Sequence, residues 1–129
     1  MDLVREARVT GAAIPHRFTG RVDVAASFGG AAGQYGARMT FHPGARTAWH
    51  SHPGGQTLLV IEGEGLLQRD GGRPEPMQAG DVVWVEPGRR RWFGAAPDAS
   101  IALIALAAAD AVSDVVWMER VDERDYRAA

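Results

Sequence analysis

Residues 41–58 read FHPGARTAWHSHPGGQTL. Within them His50 and His52 stand one residue apart, Gln56 follows across Pro53-Gly54-Gly55, and Gly44 and Gly63 bracket the set. In an extended chain residues two apart point to the same face, so both imidazoles aim at one point. A sharp turn at Pro53-Gly54-Gly55 starts the next strand at Gln56, with its side-chain oxygen turned toward that point. Two imidazoles and an amide oxygen are donors for a divalent ion. The other reading is a pair of exposed histidines on a polar loop; the glycines and the apolar run Thr57 to Ile61 weigh against it.

Working outward, short segments rich in β-branched and aromatic residues alternate with glycine, proline and aspartate clusters, the rhythm of an all-β sandwich or barrel. Phe18 to Val24 is expected as one strand, and Gly36 to Phe41 alternates Ala37, Met39 and Phe41 with Arg38 and Thr40. Thr57 to Ile61 is read as a strand broken at Glu62-Gly63-Glu64-Gly65. Leu66 to Arg69 then leads into the hairpin signal Asp70-Gly71-Gly72. Pro74 and Pro76 suit a sheet edge. Val82 to Val85, Ser100 to Leu106 and Val115 to Met118 complete the expected strands, and Asp122 to Arg127 a short terminal helix with polar sides. His42, before proline on the polar phase, is expected in an exposed turn, and His16 at the surface.

A chain of 129 residues, 46% hydrophobic, buries one core and is read as a single domain over 1–129. Fourteen basic against sixteen acidic side chains leave a formal charge of -2, which gives no footprint for nucleic acid or an anionic membrane. All the basic residues are arginine, so lysine Schiff-base chemistry and a phosphate-loop lysine are excluded, and the glycine-rich run Gly29 to Gly36 reads as a surface loop. The absence of cysteine removes disulfides and thiolates. The longest apolar run, Ile101 to Ala109, is too short to span a membrane. The expected setting is cytoplasmic, and the expected partners are a small molecule and a second copy, as a homodimer, because an open edge strand and apolar outer residues seek cover.

With these residues in view, the chain resembles the cupins, small double-stranded β-helix barrels of the jelly-roll type. Gly44, His50, His52, Gln56 and Gly63 satisfy the spacing of that family's first motif, with glutamine at the usual acid position. The second motif is matched by Gly80-Asp81 and Val82 to Val85. Its proline position holds Glu86, however, and its third histidine position holds Arg91. Among cupins the chain is most similar to small bacterial members that include manganese-dependent hydroxynitrile lyases, through RFTGRV, QAGDVVWVEPG, GAAPDAS and VVWMERVDERDYR as well as residues 41–58. The resemblance implies a cupin barrel with a short C-terminal helix, and a metal (manganese, iron, zinc or nickel) held by His50, His52 and Gln56. Phe93, Leu103 and Ala107 stand where those lyases carry polar pocket residues.

Arg91 decides what the motif can do. A guanidinium has no lone pair to offer and stays protonated at neutral pH. At about 5 Å from an ion, with an effective dielectric near 20, it repels each unit of charge by roughly 3 kcal/mol. It is therefore expected either to bind an anionic substrate or to swing away into an ion pair with Glu86 or Glu64, or into the solvated run Arg89-Arg90-Arg91. Ala37, Met39, Phe41, Trp49, Phe93 and Leu103 are the candidate pocket lining, with plain core as the alternative. Two functions follow: a metal-dependent lyase or isomerase-like enzyme acting on a small anionic or carbonyl compound, and a metal-free module in which Arg91 binds an anion without catalysis.

Overall fold

The computed structural model describes residues 11–12, 17–29, 34–108 and 115–127. The strands are β1 (Gly11–Ala12), β2 (Phe18–Thr19), β3 (Val22–Gly29), β4 (Gln34–Phe41), β5 (Arg46–Thr47), β6 (His50–Ser51), β7 (Gln56–Arg69), β8 (Glu75–Gln78), β9 (Val82–Val85), β10 (Arg91–Ala95), β11 (Ile101–Ala108) and β12 (Val116–Trp117), followed by helix α1 (Glu123–Tyr126). The pairings make a nearly closed antiparallel barrel. One wall runs β1-β3-β4-β11-β7, with β9 on the far edge of β7. The other joins β7 to β10, β5 and β2, with β8 along β7 and β6 bridging β10 to β12.

Strand β7 holds the walls together, and here the sequence expectation is corrected. Glu62-Gly63-Glu64-Gly65 does not break the strand; β7 runs unbroken through 14 residues and bends from one wall into the other. Gly63, at φ 86°, makes the bend possible, since a Cβ there would strike the Ser100 carbonyl. The register of β11 against β7 shifts at Ala102/Leu103, opposite the bend.

The expected strand from Phe18 to Val24 is in fact two, because the chain changes walls there: β2 pairs with β5 and β3 with β4. The Asp70-Gly71-Gly72 turn joins β7 to β8 as expected, closed by Gly72 N–H donating to the Arg69 carbonyl at 2.9 Å. Residues 30–33 of the glycine-rich run lie outside the described residues, as does His16, while Gln34 to Gly36 belong to β4.

Inward side chains at strand period fill the barrel with Met39, Phe41, Leu58, Val60, Phe93 and Leu103, among others. A second cluster of Trp49, Leu66, Trp92, Val121 and Tyr126 seats the C-terminal segment against the barrel's outside. Asp122 caps α1 by accepting from Asp125 N–H at 2.8 Å. Tyr126 is buried and donates its hydroxyl to the Ala95 carbonyl at 2.5 Å, so the helix has an apolar face that its polar sequence did not suggest.

Candidate functional site

Strand β6 is only two residues long, yet it holds the site. His50 lies in register with Arg91 of β10 on one side and with Trp117 of β12 on the other. The His50 and His52 rings meet edge to face with centroids 5.5 Å apart. Pro53-Gly54-Gly55 then turns the chain, and Gln56 opens β7 with its side chain buried. Gly55 sits at φ 79° under the Trp84 indole, so a side chain there would clash. His50, His52 and Gln56 are all buried, and Gln56 meets the Arg91 guanidinium, whose charge reaches both imidazoles.

Arg91 does not swing outward. Its side chain is wholly buried, at 0% exposure, and its Nη2 donates to Gln56 Oε1 at 2.6 Å. Nη1 donates to the Arg89 carbonyl at 3.3 Å, and Nε has no partner. Of the two partners weighed for it, Glu86 pairs with Arg89 instead, while the other arginine of the run, Arg90, pairs with Asp70 and Glu119. Burial lowers the Arg91 pKa to about 10, an effect that Glu86 opposes, so the guanidinium remains a cation at neutral pH.

Both histidines are neutral there. His50 Nδ1 lies 2.8 Å from the Ala48 carbonyl, which can only accept; Nδ1 therefore carries the proton and Nε2 keeps its lone pair. Burial first and the Arg91 charge second hold the His50 pKa well below 6.5. The same causes, in the same order, lower His52 to about 4. His52 Nδ1 is buried without a hydrogen-bond partner.

The donor set does not fit a divalent ion as folded. Two neutral imidazoles suit one, but the amide oxygen that would complete the set is already bound to a guanidinium. That cation shares the same interior and would repel an ion by several kcal/mol. Among the described residues no group of three or more histidine, cysteine, aspartate or glutamate side chains gathers to offset the charge.

The proposed lining divides. Met39, Phe41, Phe93 and Leu103 belong to the barrel core, with Ala37 half-buried against it, and the Phe41 and Phe93 rings meet at 5.7 Å. Trp49 instead joins the outer cluster, with the Arg90 guanidinium 4.0 Å over its ring. His42 follows β4 at the turn with its side chain 36% exposed, and its Nε2 lies 2.9 Å from Asp23 Oδ2, a contact that lowers the Asp23 pKa.

Trp117 went unrecognised in the sequence. It stacks on His50 with centroids 4.6 Å apart and 24° between planes, touches Phe18, and carries the Arg17 guanidinium 5.2 Å from its centroid. The apolar pattern Val115 to Met118 signals a strand but carries no hint that β12 pairs with β6, and only that pairing brings the indole to the histidine.

Comparison with known proteins agrees with this architecture. The model of the cupin domain matches residues 37–106. An (R)-mandelonitrile lyase from Granulicella tundricola is 50% identical over 92 residues, covering 71% of this chain and 70% of that one. The structure of a cupin-like protein from Thermotoga maritima is 34% identical, covers 98% of this chain and 96% of that chain, and superposes with a TM-score of 0.83. A polyketide cyclase from Streptomyces resistomycificus is 20% identical over 95% of this chain and 81% of its own, with a TM-score of 0.61, and so shares the fold.

Proposed function

The chain belongs to the cupin family, and on that premise we propose that it is a metal-free member that binds a small anionic molecule, a carboxylate or enolate, through Arg91 and without catalysis. One observation carries the proposal: the buried Arg91 guanidinium occupies Gln56 Oε1 at 2.6 Å. A buried cation held by an amide and a carbonyl alone, with no carboxylate accepting from it, is incompletely compensated. An anion supplies what is missing. Of the five guanidinium N–H bonds, two are used by Gln56 and Arg89, which leaves donors for a carboxylate. The two neutral imidazoles can hydrogen-bond the same ligand. Phe93, Leu103 and Ala107 add no group that could move a proton.

The second reading is a lyase or isomerase-like enzyme with a divalent metal on His50, His52 and Gln56. It is favoured by the mandelonitrile lyase relative and by His50, whose Nδ1–H is tied to a carbonyl while Nε2 stays free, the arrangement typical of a metal-bound histidine. Elemental analysis of protein purified without chelator separates the two. We expect less than about a tenth of an equivalent of metal, together with calorimetric binding of propionate that Arg91→Met abolishes; near-stoichiometric metal would overturn the metal-free reading.

A homodimer in the cytoplasm remains part of this reading. Its support is the exposed apolar pair Val82 and Trp84 on edge strand β9, and sedimentation equilibrium tests it.

A further inference from the structure

Tyr35 has no role in the site as described, yet its strand aims it there. In β4 the inward phase runs Tyr35, Ala37, Met39, Phe41, the last two being core residues. Across the barrel wall Tyr35 pairs with Ala107 and Ala37 with Ala105, while Ala105 pairs in turn with Leu58 of β7. The final paired row of β11 and β7 is Leu106 with Thr57. One residue further come Ala107 and Gln56, so Tyr35 and Gln56 end the same inward row two strands apart, about 10 Å between backbones.

Between them the wall carries the short side chains Ala37, Ala105 and Ala107, with Leu58 of β7 beside Ala105, where Met39 and Phe41 stand deeper in the barrel. Two buried polar groups without full partners lie at this same end, Arg91 through Nε and His52 through Nδ1. Tyr35 itself is 42% exposed at the rim.

We propose that Tyr35 is a specificity-determining residue: its phenol hydrogen-bonds an oxygen substituent on the ligand whose carboxylate Arg91 holds, so that the ligand is a short hydroxycarboxylate. This rests on the anion-binding reading of Arg91 and sharpens it. The fixed cation binds the carboxylate, the wall beside it admits a carbon body of a few atoms, and a hydroxyl carried on that body meets the phenol. A plain carboxylate of the same length loses that contact and leaves the phenol to water.

Lactate and propionate differ by that hydroxyl and serve as probes for calorimetric titration of the full chain. The wild type should bind lactate about tenfold more tightly, the equivalent of one hydrogen bond near 1.4 kcal/mol. Tyr35→Phe should bring lactate down to the propionate affinity and leave propionate unchanged; Arg91→Met should lose both. Because Tyr35 is partly exposed, its phenylalanine variant should melt with the wild type, which separates lost selectivity from lost folding. A Tyr35→Phe protein that still prefers lactate overturns the Tyr35 assignment and leaves the arginine site standing. A wild type that binds neither acid overturns the arginine site and this inference with it.

Discussion

Among the described residues the barrel buries two arginines, Arg46 and Arg91, and they are handled in opposite ways. Arg46, 3% exposed, has a partner at every guanidinium nitrogen: Nε and Nη2 both donate to the Val121 carbonyl, Nη1 serves the Gly44 carbonyl and Glu123 Oε1, and the guanidinium lies 4.3 Å from the Tyr126 ring centroid. Arg91, buried more completely, has one amide, one long contact to a carbonyl, an idle Nε and no carboxylate bonded to it. The first is a fastener that ties the C-terminal segment to β5. The second leaves donors without partners, which the proposed anion would take.

The comparison predicts that stability and binding separate. Arg46→Met strands the Val121 and Gly44 carbonyls and breaks the tie to α1, and should cost about 2 to 4 kcal/mol in urea unfolding. Arg91→Met removes an undercompensated buried charge and should cost less than about 1 kcal/mol, or even stabilise, while carboxylate binding disappears. Equal losses of stability from the two substitutions would break the distinction.

Next in size is the conversion of the site. Arg91→His puts a third neutral imidazole opposite His50 and frees Gln56 Oε1, and should raise manganese or zinc affinity at least 100-fold, read by competition with a chromogenic chelator. No gain would mean that the imidazoles and the amide do not converge as the pairing of β6 with β10 implies. The double variant Arg91→His/His52→Ala should lose most of the gain.

These contrasts mark how far the residues could be read before folding. Gly44, His50, His52, Gln56 and Gly63 lie close together in sequence, and their spacing carried the resemblance to the cupin barrel. Arg91 was visible as an anomaly, but its direction depended on the register of β10 against β6, a long-range pairing that no local pattern contains. Trp117 was hidden for the same reason, since β12 reaches β6 from the far end of the chain. The bend in β7 was misread because Gly63 and Gly65 look like a turn in one dimension and act as a hinge between two walls in three.

The histidines give a smaller, pH-dependent effect. Their folded pKa values lie below 6.5, so in acid the unfolded chain takes up protons that the folded one refuses. Stability is then fully present above about pH 6.5 and falls as pH drops toward the folded values, by about 1.4 kcal/mol per pH unit for each histidine while only the unfolded form is protonated. Arg91→Met removes the second cause of both shifts and leaves burial, the first, so the acid slope should set in at the same pH and end sooner. An unaltered acid limb in urea titrations would mean that the arginine charge does not reach the imidazoles.

The smallest effect is the most selective test of the two-arginine contrast. Tyr126→Phe removes the hydroxyl that donates to the Ala95 carbonyl but keeps the ring beside Arg46. It should cost about 1 to 1.5 kcal/mol of stability and leave propionate affinity as it was, because Ala95 lies four residues along β10 from Arg91 and the tyrosine packs on the barrel's outside. A change in affinity would mean that the C-terminal clasp sets the position of β10, and with it the guanidinium. Fastener and binding group would then be one mechanical unit, and the donors left idle on Arg91 would reflect strain passed along the strand and not a place kept for a ligand.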